Sequence, residues 1–361
     1  MKKQFIIMMV SALMLVGSGQ VMAVTQYTIT DLGTLGGSES YAYGINDSGQ
    51  VTGDASPAVG NRHAFLYNNG VMHDLGTLGG HSSWGASINS SGWVTGGSYT
   101  AYGYHAFLYS NSIMKDLGTF GGTFSYGNGI NNSGQITGFA DGYNYSHAFL
   151  YSNGVMLNLG TLGGRDSYGF GINGNGWVTG GSEIAKGGYH AFLYTNGVMN
   201  DLGALGGTVS EGRGINDSGQ ITGWSYTATA QSHAFLYSNG AMIDLGTLGG
   251  TESYGYGING IGQVTGYAST DTGYDHAFLF SNGVMTDLNA LIDSSSGWTL
   301  SYGYGINNLG QICGYGVNPQ GEMHAFLLNP IPEPATLLLL GLGAAVWFDS
   351  AHHRLSKKAR N

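Results

Sequence analysis

The sequence predicts an all-β chain, and within that class a seven-bladed β-propeller of four-stranded blades. Three observations carry the prediction. The phrase His-Ala-Phe-Leu-Tyr, first met at residues 63–67, returns in close copies starting at His105, His147, His190, His233, His276 and His324, at spacings of 42, 42, 43, 43, 43 and 48 residues. Each copy belongs to a unit of about 43 residues with four strand signals, the size of one blade. The array opens with a lone fourth strand at residues 27–32 and closes, at 305–328, with a unit that lacks one. Seven full sets therefore exist only if the N-terminal strand pairs with the C-terminal blade.

Each strand has its own phrase. The first ends in Ile-Asn, beginning at Ile45, Ile88, Ile130, Ile172, Ile215, Ile258 and Ile306, and a Ser-Gly or Asn-Gly turn follows, as at Ser48-Gly49 and Asn175-Gly176. The second carries Val/Ile-Thr-Gly, closing at Gly53, Gly96, Gly138, Gly180, Gly223 and Gly266, with Cys313 in place of Thr before Gly314. The third is His-Ala-Phe-Leu-Tyr: His, Phe and Tyr share one face, Ala and Leu the other. Neither face is polar, so both are expected to be covered. Asn-Gly pairs at Asn69, Asn153, Asn196, Asn239 and Asn282 then supply the positive φ of a two-residue hairpin. The fourth strand, Val-Met-x-Asp-Leu-Gly, ends the unit. Nothing between residues 24 and 329 has helical periodicity.

Composition agrees. Glycine makes up 66 of 361 residues and charged residues only 9%, yet 12% is aromatic and 42% hydrophobic. With no glycine period of three, that describes a folded chain with many tight turns. Residues 24–330 hold five basic and 19 acidic side chains, a balance of −14. Such a surface repels phosphate backbones and excludes nucleic acid as a partner. Cys313, the single cysteine, has no disulfide partner and reads as a small buried residue.

The two ends read as addresses. Residues 1–23 form a secretory signal, with Lys2 and Lys3, an apolar stretch over 5–16 and cleavage after Ala23. Residues 330–361 run from Pro332-Glu333-Pro334 through an apolar stretch (335–348) to Arg354, Lys357, Lys358 and Arg360. Fourteen apolar residues make about 21 Å of helix against a hydrocarbon core of about 30 Å, which suits transient membrane association better than a permanent anchor. This tail resembles the PEP-CTERM sorting signal of Gram-negative, exopolysaccharide-producing bacteria. The resemblance implies exosortase and the secretion machinery as partners, processing near Pro332, Glu333 and Pro334, and delivery to the cell surface or extracellular matrix. The apolar stretch is shorter than usual, and Asp349 with two histidines precedes the basic residues. The units over 27–328 resemble the extracellular HAF repeat, which implies secretion and a repeat architecture and supplies no catalytic residues. The expected domains are thus the signal (1–23), the HAF-repeat propeller (24–329) and the sorting signal (330–361).

Chemistry is less legible. Seven histidines at equivalent positions of seven blades stand apart around a ring, and a metal needs ligands within about 2 Å of one ion. Each is expected to make a structural hydrogen bond instead, and neither metal nor cofactor is expected. The G-x-G-x-x-G matches at Gly169, Gly171, Gly174 and at Gly255, Gly257, Gly260 precede a strand rather than a helix N-terminus, so no dinucleotide is expected. The units differ most in the linker before His-Ala-Phe. There Tyr102, Tyr104, Asp141, Tyr143, Tyr145, Tyr189, Trp224 and Tyr274 are candidate ligand-binding residues on one loop face. Aromatic rings among hydrogen-bonding neighbours suit polysaccharide or other matrix components. The sequence therefore points to a non-enzymatic surface protein that binds exopolysaccharide or a matrix protein. One alternative is a propeller glycoside hydrolase or polysaccharide lyase using Asp141, Asp166, Glu183, Glu211 or Asp275. The other is a structural surface component without a specific ligand.

Overall fold

The computed structural model describes residues 26–332 apart from Tyr143. The predicted secretory signal with Ala23, and the tail from Glu333 and Pro334 onward, lie outside the described residues. Tyr27–Pro330 forms one compact unit. It is all-β, and its strands fall into seven antiparallel sets of four, taken here as sheets one to seven in chain order. Sheet one comprises Gly36–Ile45, Val51–Pro57, His63–Asn68 and Val71–Asp74. Sheets two to six repeat that meander, with first strands Ser83–Ile88, Ser125–Ile130, Gly163–Ile172, Gly206–Ile215 and Gly249–Ile258. Sheet seven has Thr299–Ile306, Ile312–Val317 and Met323–Pro330, and its fourth strand is Tyr27–Asp31, with Tyr27 opposite Pro330 and Asp31 opposite Phe326. A single parallel bridge, Tyr189 to Val209, also joins sheets four and five.

The repeated phrases have separable jobs. Asn69 and Gly70 take φ of 49° and 82°, the paired positive values that the hairpin requires. The Asn of Ile-Asn folds the first turn: Asn46 Oδ1 accepts from the Ser48 and Gln50 amides. Its Nδ2 reaches across to the next sheet and donates to the Asn89 carbonyl at 2.9 Å. The same bond runs from Asn89 to Asn131, Asn173, Asn216, Asn259 and Asn307, and from Asn307 back to the Asn46 carbonyl at 3.0 Å.

The core lies between sheets rather than inside them. Phe65 and Ala64, neighbours on one strand, are both fully buried. Phe65 packs with Cys313, Ala325 and Leu327 of sheet seven, whereas Ala64 and Leu66 pack with Val94 and Phe107 of sheet two. Clusters of the same make-up fill the other junctions, as with Ala106 against Phe149 and Ala277 against Phe326. Both faces of the His-Ala-Phe strand are covered, as its composition requires.

First strands approach closely through glycine. A Cβ on Gly85, Gly127, Gly169, Gly212, Gly255 or Gly303 would stand 2.2–2.4 Å from the threonine hydroxyl of the preceding sheet. Sheet one departs from this rule with Ala42, and the neighbour it meets carries Cys313 where the others have threonine. Burial pushes the Cys313 thiol up to about 12, so it stays protonated and inert.

Two 3₁₀ turns, Leu288–Ala290 and Ser294–Ser296, interrupt the all-strand pattern. They occupy the extra residues behind the 48-residue spacing. Asp287 and Asp293 cap them, and Leu288, Leu291 and Ile292 are buried beneath. Short capped turns have no helical period, which is why the sequence does not announce them.

Candidate functional site

In every sheet the first strand contains a β-bulge at the same place. The register slips between Ala42 and Gly44, Gly85 and Ser87, Gly127 and Gly129, Gly169 and Gly171, Gly212 and Gly214, Gly255 and Gly257, and Gly303 and Gly305. A bulge leaves one residue unpaired and re-aims its side chain. The seven bulged residues are Tyr43, Ala86, Asn128, Phe170, Arg213, Tyr256 and Tyr304. Together with Tyr126 they line a single cavity of about 400 Å³. First strands lie beside one another from sheet to sheet, including sheet seven beside sheet one, so one bulge per strand gathers seven side chains around one space.

The lining is mostly aromatic, with two polar groups. Tyr256 stacks on Tyr304 with centroids 4.4 Å apart and planes at 11°, and Tyr43 meets Tyr304 edge-on at 5.0 Å. Burial pushes the Tyr43, Tyr126 and Tyr256 hydroxyls well above their usual range, so they remain neutral. The Arg213 guanidinium lies 4.0 Å from the centre of the Phe170 ring and 5.9 Å from that of Tyr256. Its Nη2 is 2.5 Å from Glu211 Oε1, which also accepts from Trp224 Nε1 at 3.3 Å. Arg213 is thus a planar fork held flat, ready to hydrogen-bond a ligand oxygen. Asn128 Nδ2 donates to the Gly169 carbonyl. Aromatic walls with a few fixed polar groups are the make-up of a small-molecule pocket.

Further along the first strands, a narrower space of about 200 Å³ is bounded by the Gly-Ile steps. Beyond it lies a polar mouth of about 220 Å³ lined by Asn46, Asn89, Asp47 and Asp217. The two mouths differ in kind: one aromatic with an arginine, one amide-rich with carboxylates.

The linker residues fare unevenly. Tyr102 and Tyr274 are almost bare, at 93% and 72% exposure, and Tyr145 is exposed beside the Arg165 guanidinium, 5.9 Å from its ring centre. Tyr104 is buried instead, stacked 4.9 Å from Phe124. Tyr189 has a buried hydroxyl without a hydrogen-bond partner. Trp224 acts through Glu211 on Arg213, and Tyr143 lies outside the described residues. Asp141 and Asp166 come together around Ser146, which donates its hydroxyl to the first and its amide to the second. Glu183 caps the Arg165 amide and Asp275 accepts from Tyr302, so these two serve local structure. Among the described residues, none of the linker candidates lines the bulge cavity. Its signal in the sequence was different: the position two before Ile-Asn disagrees in a strand that otherwise repeats.

The seven histidines of the repeated phrase each tie the third strand to the end of the fourth. His63, His105, His190, His233 and His276 each place Nδ1 within 2.7–2.9 Å of the aspartate 11 residues on. His147 meets Asn158, and His324 meets Asp31 at 2.9 Å. The aspartate also caps the next turn, as Asp74 does for the Gly76 amide. Among the described residues no group of three or more His, Cys, Asp or Glu converges to hold a metal.

Comparison with known proteins places the fold and the tail. A Mycobacterium tuberculosis puromycin-hydrolyzing peptidase shares the fold with a TM-score of 0.53 at 8% identity, over 85% of this chain and 56% of that one. A prolyl endopeptidase does so with a TM-score of 0.51 at 8% identity, over 86% of this chain and 51% of that one. TolB from Acinetobacter baumannii matches at 11% identity with a TM-score of 0.46, over 83% of this chain and 65% of TolB. The chain thus spans about two thirds of TolB and about half of each peptidase. At these identities the likeness is of fold alone, and the fold shared with the two peptidases is a β-propeller. No curated protein matches the sequence. The family model of the PEP-CTERM protein-sorting motif matches residues 330–348. The chain is an exported, surface-sorted β-propeller protein whose sorting signal is of the kind that exosortase recognises. No helix among the described residues is long and apolar enough to cross a membrane.

Proposed function

We propose that this is a non-enzymatic recognition protein of the cell surface or matrix, a propeller of seven HAF-type blades closed into a ring, whose axial cavity binds a segment of extracellular polysaccharide. Closure is supported by the asparagine chain that returns to Asn46, by the packing of Phe65 on sheet seven, and by Tyr27–Asp31 completing the last sheet. Glycan binding is carried by the bulge ring. Tyr43, Phe170, Tyr256 and Tyr304 offer ring faces for the apolar side of a pyranose, and Arg213 offers a fixed donor fork for its oxygens. The sorting signal supplies the destination at which such a polymer is met.

The test is to incubate the protein with the exopolysaccharide of the producing cells and follow retention and product release together. Retention without new chain ends is expected, with Tyr256→Ala and Arg213→Gln each weakening it tenfold or more. New reducing or unsaturated ends would instead establish the hydrolase or lyase alternative. Retention indifferent to both substitutions would remove the axial cavity from the binding mechanism.

A further inference from the structure

Away from the bulge cavity and the spaces next to it, another cavity of about 380 Å³ opens between sheets one and two. Glu39, Asn61, Arg62, His81, Trp84 and Tyr99 help to wall it. Several of these are departures from the repeat. Arg62 stands where the other units carry Tyr104, Ser146, Tyr189, Ser232, Asp275 and Met323. His81 occupies a position that is Thr123, Thr208, Thr251 and Thr299 in four other units, and Trp84 one that is Tyr in five and Glu211 in the sixth. What repeats in a repeat protein is its scaffold. Here the residues that do not repeat converge on one space.

Behind the wall stands another departure, Asp54, at a position filled elsewhere by Gly97, Phe139, Gly181, Trp224, Tyr267 and Tyr315. Asp54 is wholly buried, and its carboxylate depends on Arg62 and the Tyr43 hydroxyl to recover the hydration it has lost. Arg62 Nη1 lies 3.1 Å from its Oδ2, and the guanidinium sits 4.7 Å from the centre of the Tyr41 ring. A buried carboxylate destabilises a fold unless something recovers the loss of hydration. What it achieves here is to hold an arginine against a cavity wall. The facing wall is aromatic: His81 lies 4.1 Å from Tyr99, tilted by 31°, and Trp84 lies 6.0 Å from Tyr99. Tyr99 and His81 are open to solvent.

Ring faces beside a guanidinium, an amide and a carboxylate match a cyclic polyol, with its C–H face on the aromatics and its hydroxyls on Arg62, Asn61 and Glu39. Glu39 lies on the wall and Arg62 is already engaged by Asp54, so the site disfavours an acidic sugar. We propose that this junction is a second binding site, for a neutral pyranose residue, separate from the axial cavity. It rests on the reading of the ligand as glycan, and it gives the protein two points of attachment to one polymer, whose combined hold exceeds that of either.

Titration calorimetry of the full chain with the methyl glycosides of glucose, galactose, mannose and fucose, and with methyl glucuronide, tests the proposal. At least one neutral glycoside is expected to bind, with the glucuronide tenfold weaker or worse. Tyr99→Ala and His81→Ala change exposed side chains, thermal melts check that each variant stays folded, and each should weaken binding at least fivefold. Ile261→Ser, on a distant exposed turn, should leave it unchanged. Failure of every neutral glycoside to bind, preference for the glucuronide, or indifference to both aromatic variants would overturn the site. Retention on whole polysaccharide separates the two readings. If the Tyr99→Ala/His81→Ala double variant is retained as well as the parent, the lateral site falls and the axial one stands. If no form of the protein is retained, the glycan reading fails, and the lateral site with it.

Discussion

Asp54 is the one carboxylate fully buried among the described residues. Burial pushes its pKa up to about 7, against the opposing pull of Arg62 and the Tyr43 hydroxyl. In the unfolded chain an aspartate titrates near 3.9. Between those values the folded state holds one proton more than the unfolded state, so stability falls as pH rises, by at most about 1.4 kcal/mol per pH unit, and levels off above the folded pKa. Thermal melts of the parent should therefore show a lower midpoint at pH 8 than at pH 5, and Asp54→Asn should remove that component. Parallel losses in parent and variant would show that the carboxylate is not the cause. A second residue carries strain. Five hairpins use Asn-Gly, but one uses Asn111-Ser112, and Ser112 is held at φ of 62°. A non-glycine residue in that region costs roughly 1–2 kcal/mol, part of which glycine returns as extra freedom when unfolded. Ser112→Gly should raise stability by about 1 kcal/mol in a denaturant titration. An unchanged or lower midpoint would mean that Ser112 makes a contact worth the strain.

At the scale of the element, the sequence announced most of what the strands do. The 11-residue spacing from His to Asp, constant in the sequence, is the span of the hydrogen bond that ties the start of the third strand to the end of the fourth. Asn-Gly marked its hairpins through φ, and the unpolar faces of His-Ala-Phe-Leu-Tyr marked burial on both sides. The site was less legible, for a physical reason. A linker signals freedom through variability, and that drew attention to Tyr102 and Tyr274, which stand in solvent. A bulge changes the direction of one side chain without changing strand composition: Arg213 stood out only as a break in the connection between units, Phe170 and Tyr256 read as strand residues, and the register slip is what gathers the three. The His–Asp tie is an element-scale quantity with its own test. His190→Ala loses one partly exposed hydrogen bond to Asp201, and Asp201 keeps its cap on the Gly203 amide. The loss should be on the order of 1 kcal/mol. A loss several times larger would make the histidine a folding determinant in its own right.

For the whole molecule the decisive contact is the one between residues 42 and 313. In six junctions a threonine hydroxyl occupies the space beside a glycine of the next sheet, so that no Cβ fits. At the remaining junction both partners have changed. The Cys313 Sγ lies 3.0 Å from the Cβ position of Gly305, much as the Thr52 methyl lies 3.2 Å from that of Gly44. Sulfur has therefore taken the place of the threonine methyl, and the place of the hydroxyl is left for the Ala42 methyl. Two departures 271 positions apart compensate each other only if sheet seven packs on sheet one. Cys313→Thr alone should restore the hydroxyl against the Ala42 methyl and destabilise the protein, by about 1–3 kcal/mol as overpacked cores do. Ala42→Gly in the same chain should recover most of that loss, because the pair then matches the other six junctions. The coupling energy from the four proteins, measured by denaturant unfolding, is expected at about 1–2 kcal/mol, far beyond the few tenths found for residues that do not touch. Strict additivity would mean that the two side chains are apart in solution and the ring is open.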